Sequence, residues 1–135
     1  LDDLYLGGAI MLNSKQQTTM SFNTSYLDKA LKEKRLRLEQ ERQILLQQTL
    51  HWLDEFGLKY GIRQAYIFGS VTRPNKFHDQ SDIDIAVEQI NAEDFFSVIG
   101  FISEALARDV DVVPLNQCHF AHRIREQGIV WIAKP

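Results

Sequence analysis

Residues 64–87 decide the fold: Gln64-Ala65-Tyr66-Ile67-Phe68-Gly69-Ser70-Val71-Thr72-Arg73-Pro74-Asn75-Lys76-Phe77-His78-Asp79-Gln80-Ser81-Asp82-Ile83-Asp84-Ile85-Ala86-Val87. Gln64–Phe68 is a short apolar run rich in β-formers, and Gly69-Ser70 closes it. The segment 71–81 is polar and reads as a loop, with room for one short helical turn. From Asp82 to Glu88 the pattern alternates with period two. Ile83, Ile85 and Val87 fall on one face of a strand; Asp82, Asp84 and Ala86 fall on the other.

Upstream, residues 13–25 are polar and without period, which predicts a linker. Ser25 with Asp28 resembles a helix-start pattern. From there to Phe56 the chain has no Gly or Pro. Leu31, Leu38, Leu45 and Trp52 recur every seven residues, beside Leu27, Leu46, Leu53 and Phe56. A long helix with an apolar stripe is expected, stopped at Gly57. The intervening positions Lys34, Glu41 and Gln48 are polar, so a sustained coiled coil is disfavoured. The last turns should pack on the core, while the first, rich in Lys, Arg and Glu, are free to meet a partner or a second copy.

Downstream, Asn91 with Asp94 should cap a helix to about Ala107 that buries Phe95, Ile99, Ile102 and Leu106. A third strand is expected over Arg108–Val113, with Asp109 and Asp111 on one face and Pro114 at its end. Gln117–Gln127 reads as a helix and Ile129–Ala133 as a last strand. The order α-β-loop-β-α-β-α-β gives a mixed α/β (α+β) sheet domain preceded by a long helix. The expected division is 1–24 as a flexible or non-native extension, 25–57 as the helix and 58–135 as the chemical domain.

The chain has 135 residues, 44% of them hydrophobic and 24% charged, and only seven Gly and three Pro, which excludes wholesale disorder. A net charge of −3 speaks against a dedicated nucleic-acid binder. The single Cys118 excludes an internal disulfide framework and a multi-cysteine zinc site; it reads as a half-buried small hydrophobe in a reducing, cytoplasmic setting. No apolar run approaches the roughly 18 residues of a membrane span. Leu4–Leu12 lacks the basic flank of a secretory signal.

Two carboxylates on one strand face, about 7 Å apart along the backbone, repel each other unless a cation or a proton intervenes. Hard Mg²⁺ accepts a few carboxylate oxygens and completes its shell with water and phosphate. Gly69 lets the backbone approach a ligand, and Ser70 adds a hydroxyl and an N–H. No Gly-Lys-Ser/Thr follows, so this is not a Walker loop. A third carboxylate, Asp109 or Asp111, can come from the next strand. The four histidines, Lys76, Tyr66, Trp52 and Trp131 read as ordinary surface or core residues.

Taken together, Ile67-Phe68-Gly69-Ser70, Arg73, Ser81-Asp82-Ile83-Asp84-Ile85-Ala86-Val87 and Val110-Asp111-Val112-Val113 resemble the minimal nucleotidyltransferase family of the polymerase-β-like superfamily. The closing Arg123-Ile124 and Gln127-Gly128-Ile129-Val130 are similar too, so the resemblance covers 58–135. Two departures fall in the loop: it is one residue longer than usual, and Pro74 stands where Gly is common. The resemblance implies transfer of a nucleoside monophosphate from a triphosphate such as ATP to a hydroxyl, with two Mg²⁺ ions. It implies that Gly69, Ser70 and Arg73 bind the nucleotide. Asp82, Asp84 and Asp111 would hold metal, with Asp111 also acting on the attacking hydroxyl. It further implies an antitoxin that attaches AMP to a tyrosine of a HEPN-type ribonuclease toxin. The short chain fits an acceptor supplied by a protein partner, with the N-terminal helix as a docking or oligomer surface. Aminoglycoside-type transfer and contact-only inhibition are the competing expectations.

Overall fold

The computed structural model describes residues 14–135, with side chains from Thr24 onward. The expected extension over 1–24 therefore lies, for residues 1–13, outside the described residues. Helix α1 spans Ser14–Phe56. The polar stretch expected as a linker is thus helical from Ser14. With no Gly or Pro from Ser14 to Phe56, nothing interrupts helix propagation.

The chain divides into two compact units at Arg37/Leu38. In the first, Leu27, Leu31 and Leu36 on α1 are exposed. In the second, α1 buries Leu45, Trp52 and Leu53. The seam alternates steps of four and three from Leu38. Arg42 and Thr49 fill the positions between Leu38, Leu45 and Trp52, and both are buried; Glu41 and Gln48 lie to one side. The Thr49 hydroxyl is satisfied by donating to the Leu45 carbonyl at 2.7 Å.

Gly57 does not end α1 through a left-handed turn. It stays right-handed (φ −54°) and leads into a 3₁₀ turn, Leu58–Tyr60, after which Gly61 takes φ 82°. Gly is needed at 57 for space: a Cβ there would lie 2.7 Å from the Trp131 ring. The Trp131 indole in turn donates to Asp54 at 2.7 Å.

Four strands follow: β1 (Gln64–Phe68), β2 (Ile83–Val87), β3 (Val110–Pro114) and β4 (Ile129–Ile132). Their order across the sheet is β3-β2-β1-β4. β1 runs antiparallel to β2 and β4, and β2 runs parallel to β3. The parallel pair needs a crossover, which α2 (Phe95–Leu106) provides. Its buried residues are Val98, Ile102 and Leu106, while Phe95 and Ile99 pack at the margin. The expected helix 117–127 is divided: Leu115–Gln117 is a 3₁₀ turn and α3 is Ala121–Gln127.

Alternation along the strands separates two apolar clusters. Ala65, Ile67, Ile83, Ile85, Val87, Val110, Val112 and Trp131 face the main core with residues of α1 and α2. Tyr66 and Ala86 face the other way, against Leu115, Ala121 and Ile124, with Cys118 half-buried beside them. The second cluster covers only part of that face, and the rest is where the charged residues lie. Among the described residues, no helix is long and apolar enough to cross a membrane.

Candidate active site

β1 delivers its last residue, Phe68, opposite Asp84 of β2. Asp84 is in turn registered with Asp111 of β3. The half-buried Asp84 is therefore the centre of the arrangement. Asp111 stands beside it, and Asp82 lies just ahead of the strand; both of these are exposed. Asp109 precedes β3, and its carbonyl accepts the Ile83 N–H at 3.0 Å. Period two and strand pairing suffice to bring the three aspartates together.

Their proximity has an electrostatic cost. Burial pushes the Asp84 carboxyl up to about 6, and the neighbouring charges of Asp111 and then Asp82 add to the rise. A cation would remove that cost. Among the described residues, however, no three His, Cys, Asp or Glu side chains form a ready-made metal cage. The arrangement is an open row of carboxylate oxygens. It fits a hard divalent ion that draws its remaining ligands from water and phosphate, and not an ion enclosed by protein alone.

Gly69 links this row to the neighbouring loop. Its φ is 82°, and a Cβ there would lie 2.3 Å from Asp84 Oδ2. Only glycine lets the backbone pass so close to the carboxylate. A 3₁₀ turn, Ser70–Thr72, follows directly, with Val71 fully buried as its plug. The Thr72 hydroxyl donates to the Gly69 carbonyl at 2.7 Å, and Arg42 donates to the Val71 carbonyl at 3.0 Å.

On the outer side of this turn is a cleft of about 470 Å³, lined by Gly69, Ser70, Arg73, Lys76, Arg123 and Gln127 among others. Three cations at its wall suit an anion of several charges. Arg73 stands where expected. Lys76, read from sequence as a solvated residue, also lines the cleft. Arg123, which in the sequence belongs only to the closing helix, is brought to the cleft by α3. The carboxylates do not line this cleft; Gly69 is the shared edge between the two.

A larger cavity, about 540 Å³, lies at the opposite end of β2 and β3, around Val87, Glu88, Phe95, Phe96 and Pro114. It is the weaker candidate, because its one carboxylate is engaged. Glu88 accepts from Arg125 at 2.8 Å and from the Tyr66 hydroxyl at 3.0 Å. The Arg125 contact, first, then the Tyr66 hydrogen bond, outweigh burial and keep the Glu88 carboxyl below its ordinary range. The histidines have ordinary surroundings. His51 and His122 each sit one helical turn from a glutamate, and His78 Nδ1 accepts the Gln80 N–H.

Comparison with known proteins agrees with this geometry. The family model described as "Polymerase beta, Nucleotidyltransferase" matches residues 53–134. A protein of Methanocaldococcus jannaschii, named "Putative protein adenylyltransferase MJ0435", is 37% identical over 65 residues, which is 46% of this chain and 69% of that protein.

Proposed function

The chain belongs to the polymerase beta nucleotidyltransferase family, in its minimal form, and from that premise we propose that it is a Mg²⁺-dependent protein adenylyltransferase acting as an antitoxin. ATP is the donor, and a tyrosine hydroxyl of a HEPN-type ribonuclease toxin is the acceptor. The observation that carries the reading is the contact at Gly69. A backbone that touches Asp84 on one side forms the edge of a cationic cleft on the other. Carboxylates and a polyanion site then share one boundary, which is what attack at a metal-bound phosphate requires.

In this reading the acceptor oxygen attacks the α-phosphorus of ATP. The new O–P bond forms as the bond to the bridging oxygen breaks, and pyrophosphate leaves. Asp82, Asp84 and Asp111 would hold two Mg²⁺ ions, which supply charge neutralisation at the phosphates when bound. Gly69 and Ser70 present backbone and hydroxyl to the triphosphate. Arg73, with Lys76 and Arg123 across the cleft, balances the charge of the departing pyrophosphate. Asp111, exposed beside Asp84, receives the acceptor's proton. The adenylyltransferase wording of the Methanocaldococcus jannaschii relative supports AMP as the transferred group.

The test is to incubate the protein with α-labelled ATP, Mg²⁺ and the product of the neighbouring gene. Label is expected on a tyrosine of the partner and lost by at least 100-fold in Asp82→Ala and Asp84→Ala, a size typical of losing a charge-stabilising group. A partner that is silenced without label from any of the four nucleoside triphosphates would replace transfer with inhibition by contact.

A further inference from the structure

Two arginines reach the candidate site from behind, and both are anchored on a part of α1 that lies outside the matched segment 53–134. Arg42 grips Glu39 with two hydrogen bonds, Nε to Oε1 at 2.9 Å and Nη2 to Oε2 at 2.6 Å. Its remaining nitrogen, Nη1, donates to the carbonyl of Val71, the plug of the Ser70–Thr72 turn. The Arg42 side chain is only 10% exposed. Its grip, with a third hydrogen bond from Gln43, holds the Glu39 carboxyl down to about 2, so the pair stays ionised.

Arg108 does the same for the other loop. Nε donates to the Ser81 carbonyl at 2.8 Å, and Nη2 donates to the carbonyls of His78 at 2.9 Å and Asp79 at 3.1 Å. Nη1 pairs with Glu41 of α1 at 2.9 Å. The guanidinium also lies over the Phe77 ring, 4.8 Å from its centre. Ser81 immediately precedes Asp82, and Arg108 stands three residues before Asp111. A charge that spends its donors on backbone carbonyls, with 13% of its side chain exposed, is holding a loop in place and not decorating a surface.

We propose that Arg42 and Arg108, backed by Glu39 and Glu41, are positioning residues that fix the two halves of the active site separately. Arg42 sets the Gly69–Thr72 turn for the nucleotide. Arg108 sets the approach of Asp82 for the cation. This rests on the nucleotidyltransferase reading of the site. It makes residues 39–42 of α1 part of the working enzyme, although they precede the matched segment.

The test uses the full chain with Arg42→Met and Arg108→Met. Amide hydrogen exchange on the ligand-free protein comes first. Arg42→Met should speed exchange at Thr72 and Arg73, whose N–H groups bond Gly69 and Ser70. Arg108→Met should speed it at Ser81 and Ile83, whose N–H groups bond His78 and Asp109. Titrations follow. Arg42→Met should weaken ATP binding about tenfold and leave Mn²⁺ affinity near wild type. Arg108→Met should weaken Mn²⁺ binding about tenfold, as loss of a supporting partner does, and leave ATP affinity near wild type. Arg108→Lys should not rescue, because one ammonium cannot reach three carbonyls and a carboxylate together. Should either methionine variant fail to fold, Glu39→Gln and Glu41→Gln weaken the same two clamps more gently and should give the same crossed pattern. Equal loosening of both segments by both variants, or no change in either, overturns the proposal. A wild-type protein that binds neither ATP nor Mn²⁺ overturns the function itself, while the exchange pattern still decides whether the two clamps hold their loops.

Discussion

The two faces of the four-stranded sheet are built from the same strands and obey opposite demands. On one face Ile67, Ile83, Ile85, Val110 and Val112 are sealed against the main core. On the other, Tyr66 and Ala86 are covered by the α3 cluster, and Asp84 and Asp111 take the positions left open. Each residue of β2 is one step from the opposite regime: Ile85 is 2% exposed, and its neighbour Asp84 is a half-buried carboxylate among like charges. The closed face stabilises the protein. The open face gathers like charges at a cost in stability, the pattern of a candidate functional site.

The largest effect is expected at Ile85. Ile85→Ala should cost about 2–5 kcal/mol in chemical denaturation, the range for emptying a closed core position. A loss under about 1 kcal/mol would mean that this face is not close-packed.

A smaller and opposite effect is expected one residue away. The folded state holds the Asp84 proton more tightly than the unfolded chain does, so this group's contribution to stability falls as pH rises from its ordinary value of 3.8 through about 6. Asp84→Asn removes that penalty. In metal-free buffer the variant should melt higher than wild type at pH 7–8 and equally at pH 4 or below. The gain is on the order of 1 kcal/mol, since the half-exposed carboxylate is screened by water. A lower melting temperature at pH 7 would make Asp84 an anchor of the fold.

The smallest effect tests the joint between the two regimes. Ala107 ends α2 with φ 52° and hands the chain to Arg108. A left-handed alanine is strained, and glycine relieves it, so Ala107→Gly should stabilise by about 0.5–1 kcal/mol net of the entropy glycine adds to the unfolded state. Thermal melting measures it; a destabilised variant would mean that the Ala107 methyl contributes more than its backbone strain costs.

Much of this was legible in the residues. β1 over Gln64–Phe68 matches its expected bounds, because a short apolar run closed by Gly-Ser has few alternatives. Asp82 and Asp84 share a face because period two is a local rule; Asp111 joins them through the pairing of β2 with β3. The linker reading of residues 13–25 failed because low apolar content does not stop a helix that nothing breaks. Arg42, Glu41 and Arg108 were not legible as site-supporting residues. Isolated charged residues read as solvated, and Arg42 and Arg108 find partners 29 and 67 positions away. One signal was available: Arg42 stands four residues after Leu38 and three before Leu45, on the apolar stripe itself, with Glu39 three residues behind.

Residue pattern alone was enough for the strands, the Asp82–Asp84 spacing and the family, since these follow from side-chain period and from short motifs in a fixed order along the chain. Folding alone brings Gly69 to Asp84, lines one cleft with Arg73, Lys76 and Arg123, and lets α1 hold both loops through two arginines. Those are contacts between segments distant in the chain. A buried guanidinium is tolerated only where carbonyls and a carboxylate happen to surround it, and no local pattern encodes that surrounding.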